Sequence, residues 1–235
     1  MTLRRAALLA GLSGLASAPI PASAQAYVDQ VERLEIELGE TEIEGQLVHA
    51  WDEAGDDAQR LGFTLERGLS DSLQAGVEIE AARADGETLE IETIGLQAKW
   101  SWLDPAASPI GLGAQVALAI DPYRGTFGSE GYLIAEHRGA AFVLVANLVF
   151  ETEPGEWDEP ELAYALRAER EVGERLAFAV EAGGGFAGQG AGGHFAGPVL
   201  VLAGDEGEAI ELGVFVPLTS NAPDLQVRLE VDFPL

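Results

Sequence analysis

Acidic and basic side chains set two residues apart are the chemistry this sequence offers. Glu78 and Glu80, Glu35 and Glu37, and Glu230 and Asp232 repeat at that spacing, alternating with apolar residues. A spacing of two puts side chains on one face of a β-strand. Extending the phase through the chain puts Glu66, Glu78, Glu80, Glu130, Glu136, Glu161, Glu181 and Glu230 on inward faces. Arg60, Lys99, Arg167 and Arg228 share that side. Carboxylates crowded in a narrow lumen favour cations and repel anions. The plainer reading is that the acids are solvated or paired with the four bases, with no conduction.

Other chemistries find less support. His49, His137 and His194 fall on separate segments, and a metal centre needs convergence. Cysteine is absent, which removes disulfides, thiolate sites and a Cys nucleophile. The serines lie mostly in turns and no G-x-S-x-G occurs, so no enzyme is expected. Gly183-Gly184-Gly185 and Gly190-Ala191-Gly192-Gly193 lack the Lys-Ser/Thr of a phosphate loop. No metal and no cofactor is expected. The formal net charge of -27, from 40 acids against 13 Lys and Arg, argues against nucleic acid as a partner.

About twelve strands of roughly ten residues, counting a kinked first stretch as one, would position these side chains. The first 24 residues read as a signal peptide: Arg4 and Arg5, an apolar run from Ala6 to Ala16, Pro19 and Pro21, then Ala22-Ser23-Ala24. Ala24-Gln25-Ala26 is a second possible cleavage site, and a short membrane anchor is the alternative reading. Residues 25–235 form one domain. Residues 30–52 read as one long kinked strand with Leu34, Ile36 and Leu38 on one face, or else as two strands. The phase around Leu47, Val48, His49, Ala50 and Trp51 stays open.

The pair Leu61–Glu66 and Leu73–Ala81 about Gly68–Ser72 is the clearest hairpin. Between Leu89 and Trp102 the phase switches near Glu92-Thr93, which predicts a bulge. Trp100 and Trp102 then suit an interfacial girdle. Val143, Val145 and Val149 give an apolar inward face, which a wet lumen does not predict. The segment from Glu161 to Glu169 also scans as a helix. Residues 183–193 read as a glycine-rich loop. In the last run, Val227, Leu229, Val231 and Phe233 face one way, and Arg228, Glu230 and Asp232 the other.

Even strand number, alternation and short turns are the pattern of an all-β, antiparallel, up-and-down transmembrane barrel with periplasmic termini. Four stretches carry a resemblance. They are Gly68-Leu69-Ser70-Asp71-Ser72-Leu73, Pro109-Ile110-Gly111-Leu112-Gly113, Leu144-Val145-Ala146-Asn147-Leu148-Val149-Phe150-Glu151 and Ala222-Pro223-Asp224-Leu225-Gln226-Val227-Arg228-Leu229. With these the chain resembles a family of bacterial outer-membrane barrels of porin-like or transporter proteins. It departs from their pattern in ending Pro234-Leu235 beyond Phe233.

The resemblance implies residence in the outer membrane and passive passage of small solutes or cations. Outer-membrane lipid and the barrel-assembly machinery are the implied partners. The alternative is a soluble exported periplasmic β-barrel or sandwich that binds a small apolar ligand.

Overall fold

Twelve antiparallel strands close into one barrel. The computed structural model describes residues 31–51, 57–84, 88–157, 160–188, 191–205 and 207–235; the expected signal peptide lies outside them. The strands are β1 (Thr41–Trp51), β2 (Ala58–Ser70), β3 (Leu73–Ala84), β4 (Glu90–Leu103), β5 (Gly111–Ile120) and β6 (Phe127–Arg138). They continue as β7 (Val143–Thr152), β8 (Glu161–Glu171), β9 (Leu176–Ala187), β10 (His194–Ala203), β11 (Ala209–Pro217) and β12 (Leu225–Pro234). Each pairs with its neighbours in sequence, and β12 pairs back onto β1 from Glu42↔Pro234 to Trp51↔Leu225. Closure leaves no edge strand, which is what lets a sheet sit in lipid. The rim holding the start of β1 and the end of β12 is here the terminal rim; the other is the loop rim.

The outside of the wall is apolar. Leu96 is 68% exposed, Leu118 62% and Val180 61%, within a belt that also includes Leu47, Leu61, Ile79, Leu148 and Leu212. A soluble surface does not carry a continuous apolar belt of this extent. Aromatic side chains gather toward both ends of it. Trp100, Trp102, Phe142 and Phe233 are exposed near the terminal rim, and Trp51, Phe127, Phe150 and Phe186 near the loop rim. This is the girdle arrangement of a barrel spanning a bilayer.

The β3–β4 register passes from Glu80↔Thr93 to Ala81↔Ile91. Glu92 is therefore the extra residue of a bulge, where the sequence phase switches. In β1, Leu47 and Trp51 face out while Val48 and Ala50 are buried inside. The segment that also scans as a helix is β8, because its alternating faces are claimed by β7 and β9 on either side.

Two expectations are corrected. Residues 30–52 are not one strand: β1 begins at Thr41, and residues 31–38 lie outside any strand. Leu34 is 4% exposed and packs inside the barrel instead of facing lipid. Period-two alternation alone cannot separate a strand from an extended segment threaded through a lumen. The glycine-rich loop is also shorter than expected, since β9 continues through Gly183, Gly184 and Gly185 to Ala187. Glycine is required there by close packing. A Cβ on Gly183 would come within 2.8 Å of the Phe195 ring, and one on Gly184 would collide with the His194 ring.

Candidate functional site in the barrel lumen

The lumen has two unlike walls. The inward faces of β6, β7, β10 and β11 present Tyr132, Ile134, Val145, Val149, Phe195, Val199 and Phe215, all buried in one apolar cluster. Ala165 on β8, Ala179 on β9 and, from the chain before β1, Val31 and Leu34 complete that cluster. The chain before β1 therefore fills the apolar inward face that the sequence shows on β7. Gly113 makes room for it, because a Cβ there would be 2.4 Å from Leu34 Cδ2.

Polar contacts hold the same segment. The Leu34 amide donates to Glu136 Oε2 at 2.9 Å, and Asn147 Nδ2 donates to the Glu32 carbonyl at 3.0 Å. Lys99 Nζ lies 2.8 Å from Glu32 Oε2, and Gln115 Nε2 donates to Glu32 Oε1 at 3.2 Å. Arg33 reaches Glu169 at 3.4 Å, and Arg138 reaches Glu35 at 3.9 Å. At the terminal rim the segment turns into β1 through Gly39, whose φ of 84° is the left-handed region that glycine adopts without strain. The Gly39 amide donates to the Gly68 carbonyl at 2.8 Å, and the Gly68 amide donates to the Glu40 carbonyl at 3.0 Å.

The segment divides the interior. A cavity of about 480 Å³ opens on the terminal-rim side, and one of about 80 Å³ on the loop-rim side. Glu32, Glu44, Glu66 and Lys99 line both, so they stand at the divide. Glu66 accepts from Gln97 at 2.5 Å and Gln74 at 2.7 Å. The larger cavity is lined by thirteen carboxylates against four basic side chains, the smaller by seven against two. Both therefore carry an excess of carboxylates over bases.

The twelve residues singled out from sequence fall into three groups and two single positions. Glu66 and Lys99 stand at the divide. Glu78, Glu80, Glu130 and Arg60 line the smaller cavity, with Thr93 donating to Glu80 at 2.9 Å and Tyr132 to Glu130 at 2.5 Å. Arg167, Arg228, Glu181 and Glu230 belong to a buried ion network on the terminal-rim side. Arg167 bonds Glu181 at 2.8 Å, Glu211 at 2.6 Å and Glu169 at 2.5 Å; Arg228 bonds Glu181 at 2.8 Å. Glu136 lies beneath the inserted segment, where Arg138 also donates to it at 2.5 Å. The twelfth, Glu161, is half-buried at the loop-rim end of β8 and lines neither cavity.

Residues the twelve leave out matter as much. Glu32 shares the phase of Leu34 in the expected first strand, so period two gives it no inward signal. Glu44 was hidden by the unresolved phase of β1. Gln74, Gln97, Gln115 and Asn147 sit in the inward phase and were findable as polar residues at period-two spacing.

Outside the strands, two acids are displaced from the ordinary carboxylate range. Burial pushes Glu153 up at the loop rim, Glu156 and Glu161 add to this, and Arg60 opposes it. Glu40 at the terminal rim is raised by burial and by neighbouring Glu37.

No family model and no curated protein sequence matches the chain. Solved structures do. An outer membrane channel from Pseudomonas putida F1 superposes with a TM-score of 0.61 at 14% identity, covering 89% of this chain and all of that one. The KdgM porin, solved in complex with disordered oligogalacturonate, superposes at 0.58 and 9% identity, covering 82% and 98%. At these identities the likeness is one of fold, and the fold is that of bacterial outer-membrane barrels.

Proposed function

We propose that this protein is a porin-like channel of the bacterial outer membrane whose lumen favours small cations. The observation that carries the reading is the charge of the two cavities. Carboxylates outnumber bases in both, on either side of a divide held by the Lys99–Glu32 pair. Carboxylates in a low-dielectric passage concentrate cations and exclude anions. Oligogalacturonate, the ligand bound by the KdgM porin, is a polyanion. A lumen with this charge opposes such a ligand, so the neighbour's substrate does not carry over.

The apolar belt meets outer-membrane lipid, and the terminal rim faces the periplasm. The barrel-assembly machinery would close β12 onto β1. A soluble apolar-ligand binder has less support, because the apolar inner wall is filled by Val31 and Leu34 and the outside is apolar. The inserted segment sets the resting state as narrow.

Solute entry into liposomes tests this. Small organic cations should enter faster than anions of equal size. Equal or reversed rates would contradict the proposal.

A further inference from the structure

Residues 31–38 are held differently from the strands around them. Among the described residues, 31–37 belong to no strand ladder. Two buried side chains, Val31 and Leu34, seat the segment, and side chains of the wall hold the rest. The Lys99–Glu32 pair at the divide is short, 2.8 Å. The other ion pairs are longer: Arg33–Glu169 at 3.4 Å and Arg138–Glu35 at 3.9 Å, with the Glu35 side chain 61% exposed. Backbone hydrogen bonds to the wall lie at the hinge, from Gly39 to Gly68 and from Gly68 to Glu40. The segment can therefore swing out about Gly39 while all twelve strands stay paired.

Charge decides what would move it. Residues 31–38 carry Glu32, Glu35 and Glu37 against Arg33, a net charge of -2. The bases that Glu32 and Glu35 meet, Lys99 on β4 and Arg138 on β6, stay with the wall. Gly39 lies at the terminal rim, so outward movement runs through the larger cavity, about 480 Å³ against about 80 Å³ on the loop-rim side. A membrane potential acts along that same direction. A charge carried through it gains or loses free energy in proportion to the voltage.

We infer that residues 31–38 are a voltage-driven latch. A potential positive at the terminal rim draws the negative segment out about Gly39 and widens the passage. The opposite potential keeps Val31 and Leu34 seated. The latch rests on the reading of the barrel as a channel. The -2 charge of the segment, carried through about half of the field, does the work of about one elementary charge carried through all of it. That changes the ratio of open to shut about fiftyfold per 100 mV. Glu35 and Glu37 are the voltage-sensing residues, because both are exposed to the lumen while Glu32 and Arg33 cancel.

Single-channel recording of the whole mature barrel, added from one chamber, tests this at both polarities. Fast gel migration without boiling checks the fold of each variant. The wild type should pass several-fold more current at one polarity than at the other. Glu35→Gln with Glu37→Gln brings the segment to no net charge and should make the polarities equal. Glu35→Lys with Glu37→Lys makes the net charge +2 and should invert the favoured polarity. Leu34→Cys puts the chain's only thiol in the buried seat. A charged methanethiosulfonate should react with it at the opening polarity alone and leave the conductance high. Equal wild-type currents overturn the latch, as does an asymmetry that the charge variants leave unchanged. So does a thiol that reacts alike at both polarities or at neither. Cation preference without asymmetry overturns the latch alone, whereas no current at either polarity overturns the channel and the latch together.

Discussion

The two lumen walls obey one rule of alternation and reach opposite ends. Along β1 to β5 the inward residues include Gln46, Thr64, Glu66, Gln74, Glu78, Gln97, Lys99 and Gln115, with apolar Val48, Ala50 and Ala117 among them. They form a mainly polar surface. Along β6, β7, β10 and β11 they include Tyr132, Ile134, Val145, Val149, Phe195, Val199 and Phe215. Those cannot face water without cost, so the chain's own residues 31–34 cover them. A barrel interior thus need not be uniform. Carboxylates from β1, β2, β3, β8, β11 and β12 set the charge of the lumen, and the apolar side anchors what narrows it.

Spoiling the apolar seat should have the largest effect. Replacing Val31 and Leu34 by glutamate removes two buried apolar side chains, about 3–6 kcal/mol in all. It also adds two charges that the seat cannot solvate. The segment should leave, and single-channel conductance should rise several-fold. Unchanged conductance would mean that the segment does not limit passage.

Next in size is the ion network. Arg167 is 5% exposed and holds three carboxylates. Arg167→Ala leaves three buried carboxylates with only Arg228 and Arg33 to balance them, at a cost of about 3–5 kcal/mol. The temperature at which the barrel loses fast migration should fall markedly. Arg60→Ala, on the mainly polar wall, should change it by the equivalent of about 1 kcal/mol or less.

Packing offers a smaller contrast. Gly183→Val pushes a side chain into the Phe195 ring and should cost about 1–3 kcal/mol. Gly131→Ala, whose nearest neighbours to a new Cβ are 3.8 Å away, should be tolerated in the same thermal assay.

The smallest effect is at the loop rim. Glu153 has its folded carboxyl raised by burial and by Glu156 and Glu161, so its ionised form opposes folding. That penalty is present above the folded pKa and disappears as pH falls through it. Glu153→Gln should therefore raise the thermal midpoint slightly at pH 7. The difference from wild type should vanish on acidification. A gain that persists in acid would place its cause elsewhere.

The wall was legible in the sequence because period two is enforced on both of its faces. Lipid selects Leu61, Phe63 and Leu65, and the interior selects Arg60, Thr64 and Glu66 between them. The phase slip at Glu92-Thr93 even marked a bulge. The inserted segment was not legible. Leu34, Ile36 and Leu38 alternate with Glu35 and Glu37 as a strand would, and only three-dimensional closure shows that Leu34 meets an apolar wall inside. Asn147 and the valines of β7 held the hint, as an inward face too apolar for water. The run Gly183-Gly184-Gly185 misled in the other direction. Its glycines are there because Phe195 and His194 on β10 press against β9, a contact that local composition does not reveal.

Cation preference is the property that the proposed channel stands or falls on. Reversal potential in a planar bilayer, measured across a potassium chloride gradient with the wild-type barrel, tests it most directly. The expected potential has the sign set by potassium and grows larger when Lys99 is replaced by glutamine. A potential set by chloride, or none in either protein, would contradict it.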